Sequence, residues 1–594
     1  MERSIAENIK SNPKRFWNYV NSTRKVRTGI SDLMGLNGDD QQMAVKDSDK
    51  AEVLAKFFSS VFTKEPSGDL PEFNTRTVNH PFEEIICNPL VVEKILANLN
   101  ENKSQGPDKI HPKVLKELKH FISTPLAEIF NRSLEDGKLP QEWKEANITA
   151  IYKKGSKSDP GNYRPVSLTS IVVKTLEKLV RNSIVNHMDK NNLLSSKQFG
   201  FISGRSTQLQ LLNVLEDWTA IIDNGGEIDV IYMDFMKAFD KVPHKRLLKK
   251  LIGYGVSQKV VNWIEDFLSN RCQRVIVNGE MSETYPVISG IPQGSVLGPI
   301  LFVVYINDLP EIPTSSSPLF ADDTKLYRRI RNEEDVRILQ EDLDKLQIWS
   351  NKWLLKFHPN KCKVISIKAS KKRHYYMNGQ EGERIQLENI THEKDIGVTI
   401  DEDLNFKTHL HNIVNKANSI VGLIRRSFVY LDESMFKLLF KALVRPHLEY
   451  AASVWNPYRV ADIDLIENVQ RRASKLIPGL KNLTYEERLE RLNLPTLQHR
   501  RTRGDIINVF KIVKKLYDYR VTENFFQMDS SSRTRGHSEK IFKKRCNLEL
   551  RKNFFSNRII DVWNNLPQHI IDADTVYNFE VMLDKHWKNI HFKV

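Results

Sequence analysis

Cysteine and long apolar runs are both scarce in this chain of 594 residues. Its four cysteines are scattered and form no CxxC pair, which argues against a disulfide framework or a zinc knuckle and favours a reducing compartment. The longest apolar run, residues 296–306, is too short to cross a bilayer and is interrupted by Gly298 and Pro299. The charged amino-terminal segment lacks the apolar stretch of a signal peptide. We therefore expect no membrane-spanning segment.

The length and the charge indicate a large, basic protein. A chain of this size suggests about three or four domains, and an apolar content of 40% is enough to build their cores. The net charge is +15, and the segment after Leu404 holds 33 Lys and Arg against 20 Asp and Glu. Two interpretations of this excess remain open, a well-solvated helical surface and a face that follows nucleic-acid phosphates.

Three aspartates stand where apolar, strand-like runs end. Asp234 follows the run Val-Ile-Tyr-Met, and Asp322 and Asp323 lie between Leu-Phe-Ala and Thr-Lys-Leu-Tyr. Adjacent carboxylates at the tip of a buried hairpin repel each other and resist desolvation, so they need a neutralising cation. Carboxylates on stiff strands suit Mg²⁺ acting with substrate phosphates, and two such ions about 3.5–4 Å apart serve in-line phosphoryl transfer. The residues alone therefore predict a nucleotidyl-transfer site.

The apolar spacing predicts helices and strands mixed in an α+β fold. The two β-like segments that carry the aspartates flank a helical region at 245–268 and a hairpin at 274–287, and a further strand is predicted at 146–152. Residues 349–367 and 394–400 are interpreted as a smaller appended segment, and residues 35–40 as a loop. Helices are predicted at 91–99, 114–134 in two pieces around Pro125, 169–194, 408–429, 433–444, 462–476, 485–492 and 497–516.

A third motif, residues 289–302, lies between the aspartate segments. Pro292 and Gly294 fix an irregular turn there, and Gly294 removes side-chain bulk where backbone must approach a planar ligand. In this order the three motifs closely resemble the catalytic core of reverse transcriptases, most of all the jockey-like group of non-LTR retrotransposons. The resemblance covers nearly the whole chain and extends to residues 106–108, 162–168, 198–201, 204–207, 395–399, 485–489, 494–497, 554–558 and 562–567.

The resemblance implies unequal roles for the three aspartates. Asp234 and Asp322 would hold two Mg²⁺ ions, for which Mn²⁺ is an alternative, and Asp323 would complete the cluster as a weaker ligand. One ion would lower the pKa of the primer 3′-hydroxyl, and the other would bind the triphosphate and stabilise the leaving pyrophosphate.

A pocket for the incoming nucleotide is implied beside the aspartates. Phe239 would act as a steric gate that selects dNTP over NTP, although a core aromatic is the alternative. Arg164 would pack on the nucleotide, since a guanidinium can bind phosphate and stack on a base at once. Gln293 and Gly294 would line the template and nucleotide pocket.

Lysines near the same site are given roles by the resemblance, each with a solvated surface lysine as the alternative. Lys153 or Lys154 would contact the triphosphate, and the register favours Lys153. Lys361 would be the general acid towards pyrophosphate.

The fold implied by the resemblance is a right-hand polymerase, with fingers, a palm built on an antiparallel sheet, and a helical thumb. The expected divisions are a connector at 1–85, fingers and palm at 86–403, the thumb at 404–520 and a helical C-terminal extension at 521–594. Thumb cations would contact duplex phosphates without reading sequence. The cations named for this role are Arg471, Arg472, Lys475 and Arg501, whereas Trp455, Trp563 and Trp587 are predicted to be core residues.

The expected function is RNA-directed DNA synthesis from a primer 3′-hydroxyl, with an RNA template, a DNA primer or nicked target DNA, and dNTPs as partners. Elements of this group commonly place an endonuclease ahead of the polymerase, and only about 90 residues precede the expected fingers. We therefore expect a polymerase that lacks this domain and uses a separate endonuclease, in the nucleus or also in the cytoplasm. A catalytically inactive nucleic-acid-binding remnant and an RNA-dependent RNA polymerase are the alternatives.

Overall fold

The computed structural model describes residues 1–24, 29–35, 43–379, 382–529 and 536–588, so the predicted loop at 35–40 lies outside the described residues except for Gly35. The chain combines helices with antiparallel and mixed sheets, which confirms the α+β prediction in this coarse form. Within the described ranges, no helix is both long and apolar enough to pass through a bilayer.

The helices are α1 Glu2–Glu7, α2 Pro13–Arg24, α3 Asp47–Ser60, α4 Pro89–Ala97, α5 Pro112–Glu117, α6 Lys119–Asp136, α7 Ile171–Lys190, α8 Thr207–Asp223, α9 Ala238–Lys241, α10 His244–Gly253, α11 Gln258–Leu268, α12 Gly298–Ile306, α13 Glu333–Lys352, α14 Lys407–Ser427, α15 Glu433–Leu439, α16 Arg445–Glu449, α17 Ala452–Trp455, α18 Val460–Ser474, α19 Tyr485–Leu492, α20 Leu497–Val513, α21 Tyr519–Thr522, α22 Glu549–Lys552, α23 Phe555–Arg558, α24 Ile560–Asn564, α25 Gln568–Ile571 and α26 Val576–His586. The strands are β1 Glu145–Tyr152, β2 Tyr163–Leu168, β3 Glu227–Met233, β4 Arg271–Val277, β5 Glu280–Met281, β6 Tyr285–Val287, β7 Leu319–Phe320, β8 Asp323–Ile330, β9 Lys363–Ile367, β10 Tyr376–Asn378, β11 Arg384–Gln386, β12 Glu388–Asn389, β13 His392–Asp395 and β14 Val398–Asp401.

The central sheet has the strand order β12-β9-β3-β8-β7, and β3 runs antiparallel to both of its neighbours. Alternate side chains of β3 enter two different cores: Ile228 and Val230 pack on the side of α8, while Ile231 and Met233 pack on the side of α10 and α12. The apolar residues at 230–233 fit a strand that is buried on both faces, whereas Asp229 is a buried carboxylate that accepts a hydrogen bond from the Tyr375 hydroxyl at 2.7 Å. The interpretation of residues 349–367 as an appended segment is wrong, because β9 pairs directly with β3.

A second sheet has the order β2-β1-β4-β5, with β6 also paired to β4. Leu54 and Phe58 of α3 pack on it against Ile148 and Val275. The predicted hairpin at 274–287 is present as the pairing of β4 with β5 and β6. In addition β4 pairs in parallel with β1, a contact between segments distant in sequence that local patterning does not reveal.

The predicted division of residues 114–134 around Pro125 is wrong in position. The two helices α5 and α6 meet at Leu118, and Pro125 lies inside α6. A proline removes one backbone hydrogen bond from a helix, and the burial of Ala127 and Phe130 on the same helix offsets that loss.

The segment after Leu404 is largely helical, as predicted, and shares one core with the amino-terminal helices. Phe16 of α2 stacks on Phe428 with ring centroids 6.0 Å apart, and the Tyr19 hydroxyl lies 2.9 Å from the Ser427 carbonyl oxygen. Within residues 1–85, α1 and α2 thus join the C-terminal core, while α3 joins the second sheet.

The prediction that three tryptophans of the C-terminal region belong to the core is confirmed. Trp455, Trp563 and Trp587 are all buried, in the same core as α14, α18 and α20. Residues 521–588, where described, contribute to this core as well, so they pack on the preceding helices.

Candidate functional site

Asp322 lies in a two-residue turn between β7 and β8, where Phe320 pairs with Asp323 across the hairpin. The other turn residue, Ala321, has a left-handed backbone with φ of 54°, a conformation that is unfavourable for a residue with a Cβ atom. Gln198 supports the turn, because its side-chain Oε1 accepts a hydrogen bond from the Ala321 amide at 2.9 Å. The turn that carries Asp322 is thus held in place by a separate segment of the chain.

Asp234 directly follows β3 and reaches the same end of the central sheet. The register pairs Met233 with Thr324, so Asp234 lies beside the turn that carries Asp322. The Asp234 side chain is about half exposed, and its backbone oxygen accepts a hydrogen bond from the His358 amide at 2.8 Å. The Lys361 ammonium is 3.8 Å from the Asp234 carboxylate. The structure therefore brings Asp234, Asp322 and Lys361 together as expected.

The electrostatics of this sheet end favour a bound cation. Burial raises the pKa of Asp322 above its ordinary value, and the charge of Asp234 raises it further, against the opposing effects of its own backbone amide, Arg164 and Lys153. Asp323 is exposed, yet desolvation and then the charge of Asp322 raise its pKa to about 6. Carboxylates that destabilise one another's ionised forms are a fitting location for a divalent cation.

The donor set fits an ion shared with a substrate better than a closed protein cage. Across the described ranges, no three His, Cys, Asp or Glu side chains converge on a point that could hold a metal ion. Asp234 and Asp322 interact electrostatically, which gives two carboxylates at one site. Mg²⁺ commonly takes one or two carboxylates together with substrate phosphates and water. The residues present therefore fit Mg²⁺ bound jointly with a phosphorylated substrate.

A buried ion pair lies behind Asp323. The Lys325 ammonium contacts the Asp395 carboxylate at 2.5 Å, and the Tyr232 hydroxyl donates to the same carboxylate at 3.4 Å. Since Lys325 lies two residues after Asp323 on β8, the two side chains share a face of the strand. The charges of Asp395 and Lys325 both act on the pKa of Asp323, so Asp323 belongs partly to this neighbouring charge network.

The surroundings of Phe239 bear on both interpretations of this residue, a steric gate and a core aromatic. Its ring stacks on Phe302 at a centroid distance of 4.5 Å, and its backbone oxygen accepts a hydrogen bond from the Ile291 amide at 2.8 Å. The side chain nevertheless stays partly exposed. One face of the ring therefore packs on Phe302, and Phe201 lies in a T-shaped contact with the same ring at a centroid distance of 6.5 Å.

The loop 289–297 is fixed by hydrogen bonds on both sides. The Gln293 amide nitrogen donates to Asp240 at 2.7 Å, and its backbone oxygen accepts from the Ser167 amide at 2.8 Å. At Gly294, which has φ of 137°, an added Cβ atom would lie 2.4 Å from the Ser167 carbonyl oxygen. The backbone that approaches Gly294 is therefore that of β2, and the expectation of a close-lying planar ligand has a competing structural explanation.

Lys153 and Arg164 lie on the neighbouring ends of β1 and β2. The Lys153 amide donates to the Asn162 carbonyl at 2.8 Å, and Arg164 pairs with Ile151 across the two strands. Both side chains are exposed, and neither forms a hydrogen bond or ion pair within the part of the chain that the structure describes. The charges of both residues act to lower the pKa of Asp322, so both lie within electrostatic range of this carboxylate.

The four cations expected on the nucleic-acid surface differ in their surroundings. Arg472 and Lys475 are exposed, while Arg471 pairs with Asp464 at 3.1 Å. Arg501 is only 2% exposed, and burial lowers the pKa of its guanidinium to about 10. The assignment of Arg501 to a phosphate-contacting surface is wrong, because α20 turns this residue into the core.

Three supporting residues had no assigned role. Gln198 and Arg205 lie in the segments 198–201 and 204–207, which carry the family resemblance. Those segments were the signal in the sequence that could have identified the two residues. Glu177, which is fully buried in α7, accepts hydrogen bonds from the amides of Val296 and Leu297 at 2.6 and 3.0 Å. No local pattern in α7 identifies Glu177, since its partners lie on a distant loop.

Comparison with known proteins agrees with the resemblance. Residues 151–391 match the family described as "Reverse transcriptase (RNA-dependent DNA polymerase)". The chain is 27% identical over 70% of its length to the "Probable RNA-directed DNA polymerase from transposon X-element" and 28% identical over 76% to the "RNA-directed DNA polymerase from mobile element jockey", both of Drosophila melanogaster. It is also 29% identical over 70% of its length to the "Probable RNA-directed DNA polymerase from transposon BS" of the same organism.

The chain spans about half the length of these relatives, namely 46%, 51% and 48%. The resemblance to reverse transcriptases of non-LTR retrotransposons, drawn from the motifs, is confirmed by these matches.

Proposed function

We propose that this chain, which carries a reverse transcriptase domain at residues 151–391, is the RNA-directed DNA polymerase of a non-LTR retrotransposon. The observation that carries the proposal is the meeting of Asp234 and Asp322 at one end of the central sheet. The exposed cations Lys153 and Arg164, without protein partners in the described ranges, lie within electrostatic range of Asp322. Carboxylates for metal ions and cations for phosphates are the two parts that a nucleotidyl transferase needs.

The right-hand polymerase arrangement accounts for the sheets and helices. In this assignment the central sheet is the palm, and the sheet of β1, β2 and β4 with α3 belongs to the fingers. The helices from residue 404 to 520 form the thumb, and residues 521–594 form a C-terminal extension that packs on it where described. Arg472, in the last turn of α18, and Lys475, which directly follows the helix, are exposed and are the thumb cations best placed for duplex phosphates, with Arg471 beside them.

Asp234 and Asp322 would hold two Mg²⁺ ions, or Mn²⁺ in their place, with Asp323 in support. When bound, the ions lower the pKa of the primer 3′-hydroxyl and neutralise the charge that develops on the pyrophosphate. The 3′-oxygen then attacks the α-phosphorus of the dNTP, and the bond to the pyrophosphate breaks.

The chain's own residues bind and orient the nucleotide. Arg164 and Lys153 take the triphosphate, because they are exposed and lack competing partners among the described residues. Phe239, which is partly exposed beside Phe302, would meet the sugar and exclude a 2′-hydroxyl. Gln293, held by Asp240, lines the pocket beside Gly294. Lys361, whose ammonium lies 3.8 Å from the Asp234 carboxylate, would donate a proton to the departing pyrophosphate.

The partners follow from this reaction. An RNA template, a DNA primer or a nicked target and dNTPs are the substrates, and a separate endonuclease would supply the nick. Copying onto chromosomal DNA would take place in the nucleus.

Primer extension tests the proposal. Purified protein is expected to extend oligo(dT) on poly(rA) with dTTP and Mg²⁺, and Asp322→Ala is expected to abolish the product. The control is Asp403→Ala, which removes an exposed carboxylate paired with Lys368 and should leave extension unchanged. If the unaltered protein binds RNA but incorporates no nucleotide, the chain is an inactive binding remnant and the proposal is wrong.

A further inference from the structure

Asp518, which precedes α21 in the C-terminal region, forms a buried ion pair with Arg205. The Asp518 carboxylate accepts from Nε of Arg205 at 2.8 Å and lies 2.8 Å from its Nη2, and their side chains are 8% and 0% exposed. The Asp518 amide also donates to the Gly204 carbonyl at 3.1 Å. Residue 518 lies outside the segment that matches the reverse transcriptase family, which ends at residue 391.

Arg205 transmits this contact to the segment that contains Gln198. Its Nη1 donates to the Ser195 carbonyl at 2.6 Å and also to the Gln198 carbonyl. One guanidinium thus ties Asp518 to the backbone at two positions of the 195–198 segment. A planar, forked donor is suited to fixing several acceptors at once.

Gln198 in turn holds the turn that carries Asp322. Its Oε1 accepts from the amides of Gly200 and Ala321 at 2.7 and 2.9 Å. A Cβ atom at Gly200 would lie 2.4 Å from the Ala321 amide nitrogen, so the two backbones are in direct contact. Ala321 has a left-handed backbone, and a strained residue keeps its position only when its surroundings fix it.

Apolar packing reinforces the same connection. Phe199 and Leu209 form a small core with Val521 of α21, and Phe320 of β7 packs against it. Phe320 immediately precedes the turn, so the C-terminal segment contacts both the support and the strand of the turn.

We propose that Asp518 is a positioning residue for Asp322, and that it acts through Arg205 and Gln198. This inference rests on the proposed function, since it assigns Asp322 to the catalytic site. It makes the C-terminal helical region a part of the catalytic geometry in addition to any contact with nucleic acid.

The state of Asp518 suits this role. Burial opposes its ionisation, but hydrogen bonds and charges from Arg520 and Arg205 outweigh burial and hold the pKa of Asp518 at about 2. The carboxylate therefore remains charged at the neutral pH of the assay.

Steady-state kinetics provide the first test. Asp518→Ala is expected to lower kcat about 10-fold and to raise the Mg²⁺ concentration for half-maximal rate, because displacement of a reacting group by ~1 Å costs up to ~100-fold. The Kd for template–primer should not change. The matched control is Asp505→Ala, which removes another buried carboxylate from the C-terminal region, there paired with Arg558. An unchanged kcat in folded Asp518→Ala, or an equal loss in the control, would overturn the inference.

A double-mutant cycle with Gln198→Ala separates positioning from general destabilisation. If Asp518 acts through Gln198, the double variant should lose no more kcat than the more damaging single variant, whereas independent effects would add. Additive losses would overturn the assigned route. Should Asp518→Ala fail to fold, Asp518→Asn retains an acceptor for Arg205 and replaces it in both experiments.

Amide hydrogen exchange provides a readout that does not need catalysis. Asp518→Ala should speed exchange at Ala321, whose amide donates to Gln198, while Asp505→Ala should not. Faster exchange at Ala321 in a protein without polymerase activity would support the structural connection between Asp518 and the turn, but would contradict the proposed function. Unchanged exchange at Ala321 in an active protein would contradict the positioning role of Asp518 and would leave the proposed function standing.

Discussion

At the scale of single residues, the candidate site is built from side chains with unequal surroundings. Asp322 is half-buried in a strained turn, whereas Asp323 is exposed and shares its strand face with the Lys325–Asp395 pair. The sequence motif identifies Asp322 and Asp323 as a pair of adjacent carboxylates. Only their different burial in the structure distinguishes one from the other. Burial also excludes Arg501 from the surface that was expected to contact nucleic acid, since a positive charge in a sequence does not state which face of a helix it occupies.

Phe239→Val tests the residue that separates DNA from RNA synthesis. The smaller side chain should admit a 2′-hydroxyl and reduce the preference for dTTP over UTP between ~10- and ~100-fold, the range expected when a pocket loses one steric contact. It should also lower the free energy of unfolding by about 1–2 kcal/mol, because the stacking on Phe302 is lost. Ratios of kcat/KM for the two nucleotides and urea unfolding are the measurements.

The control for this variant is Phe267→Val. Phe267 is buried and stacks on Trp263, away from the aspartates, so this change should reduce stability without altering sugar selection. Unchanged rejection of UTP by Phe239→Val would show that Phe239 is only a core residue.

At the scale of elements, the loop 289–297 illustrates how three segments meet. β2 contacts it through Ser167, α9 through Asp240 and α7 through Glu177. The sequence indicated an irregular turn at Pro292 and Gly294, and the contact with β2 leaves no room for a Cβ atom at residue 294.

Gly294→Ala should therefore be strongly destabilising. The added Cβ atom would lie 2.4 Å from the Ser167 carbonyl oxygen, and the backbone φ of 137° is unfavourable for alanine. We expect a loss of about 2–4 kcal/mol in the free energy of unfolding, from backbone strain together with the steric clash. Gly279→Ala is the control, because its φ of 101° is also unfavourable but nothing lies within 4 Å of the new Cβ. Equal losses in the two variants would contradict a role for the contact with β2.

At the scale of the whole molecule, the two ends of the described chain pack into one core. The helices α1 and α2 contact the C-terminal helices, and the Glu2 carboxylate accepts hydrogen bonds from the amides of Val429 and Tyr430 at 3.2 and 3.3 Å. The helices α1 and α2 are therefore a structural part of the helical region.

Phe16→Ala tests this packing. Phe16 is fully buried and stacks on Phe428, so its truncation should lower the free energy of unfolding by about 3–5 kcal/mol, as for other buried aromatic residues. The neighbouring Trp17 is 41% exposed, and Trp17→Ala should cost less than about 1 kcal/mol. Urea unfolding monitored by circular dichroism gives both values, and similar losses at the two positions would show that α2 is not docked as described.

The sequence by itself determined the local structure and the chemistry. Strand β1, helix α19 and most of the C-terminal helices follow their apolar spacing, and the aspartates, Phe239 and Arg164 were identified by motif because each motif is contiguous. Only the tertiary structure decided what depends on contacts between distant segments. It placed β9 beside β3, joined α1 and α2 to the C-terminal core, buried Arg501, and connected Asp518 to the turn of Asp322. Patterns of hydrophobicity record how each residue relates to solvent, but not which of many apolar or charged partners it meets, and that choice requires the folded chain.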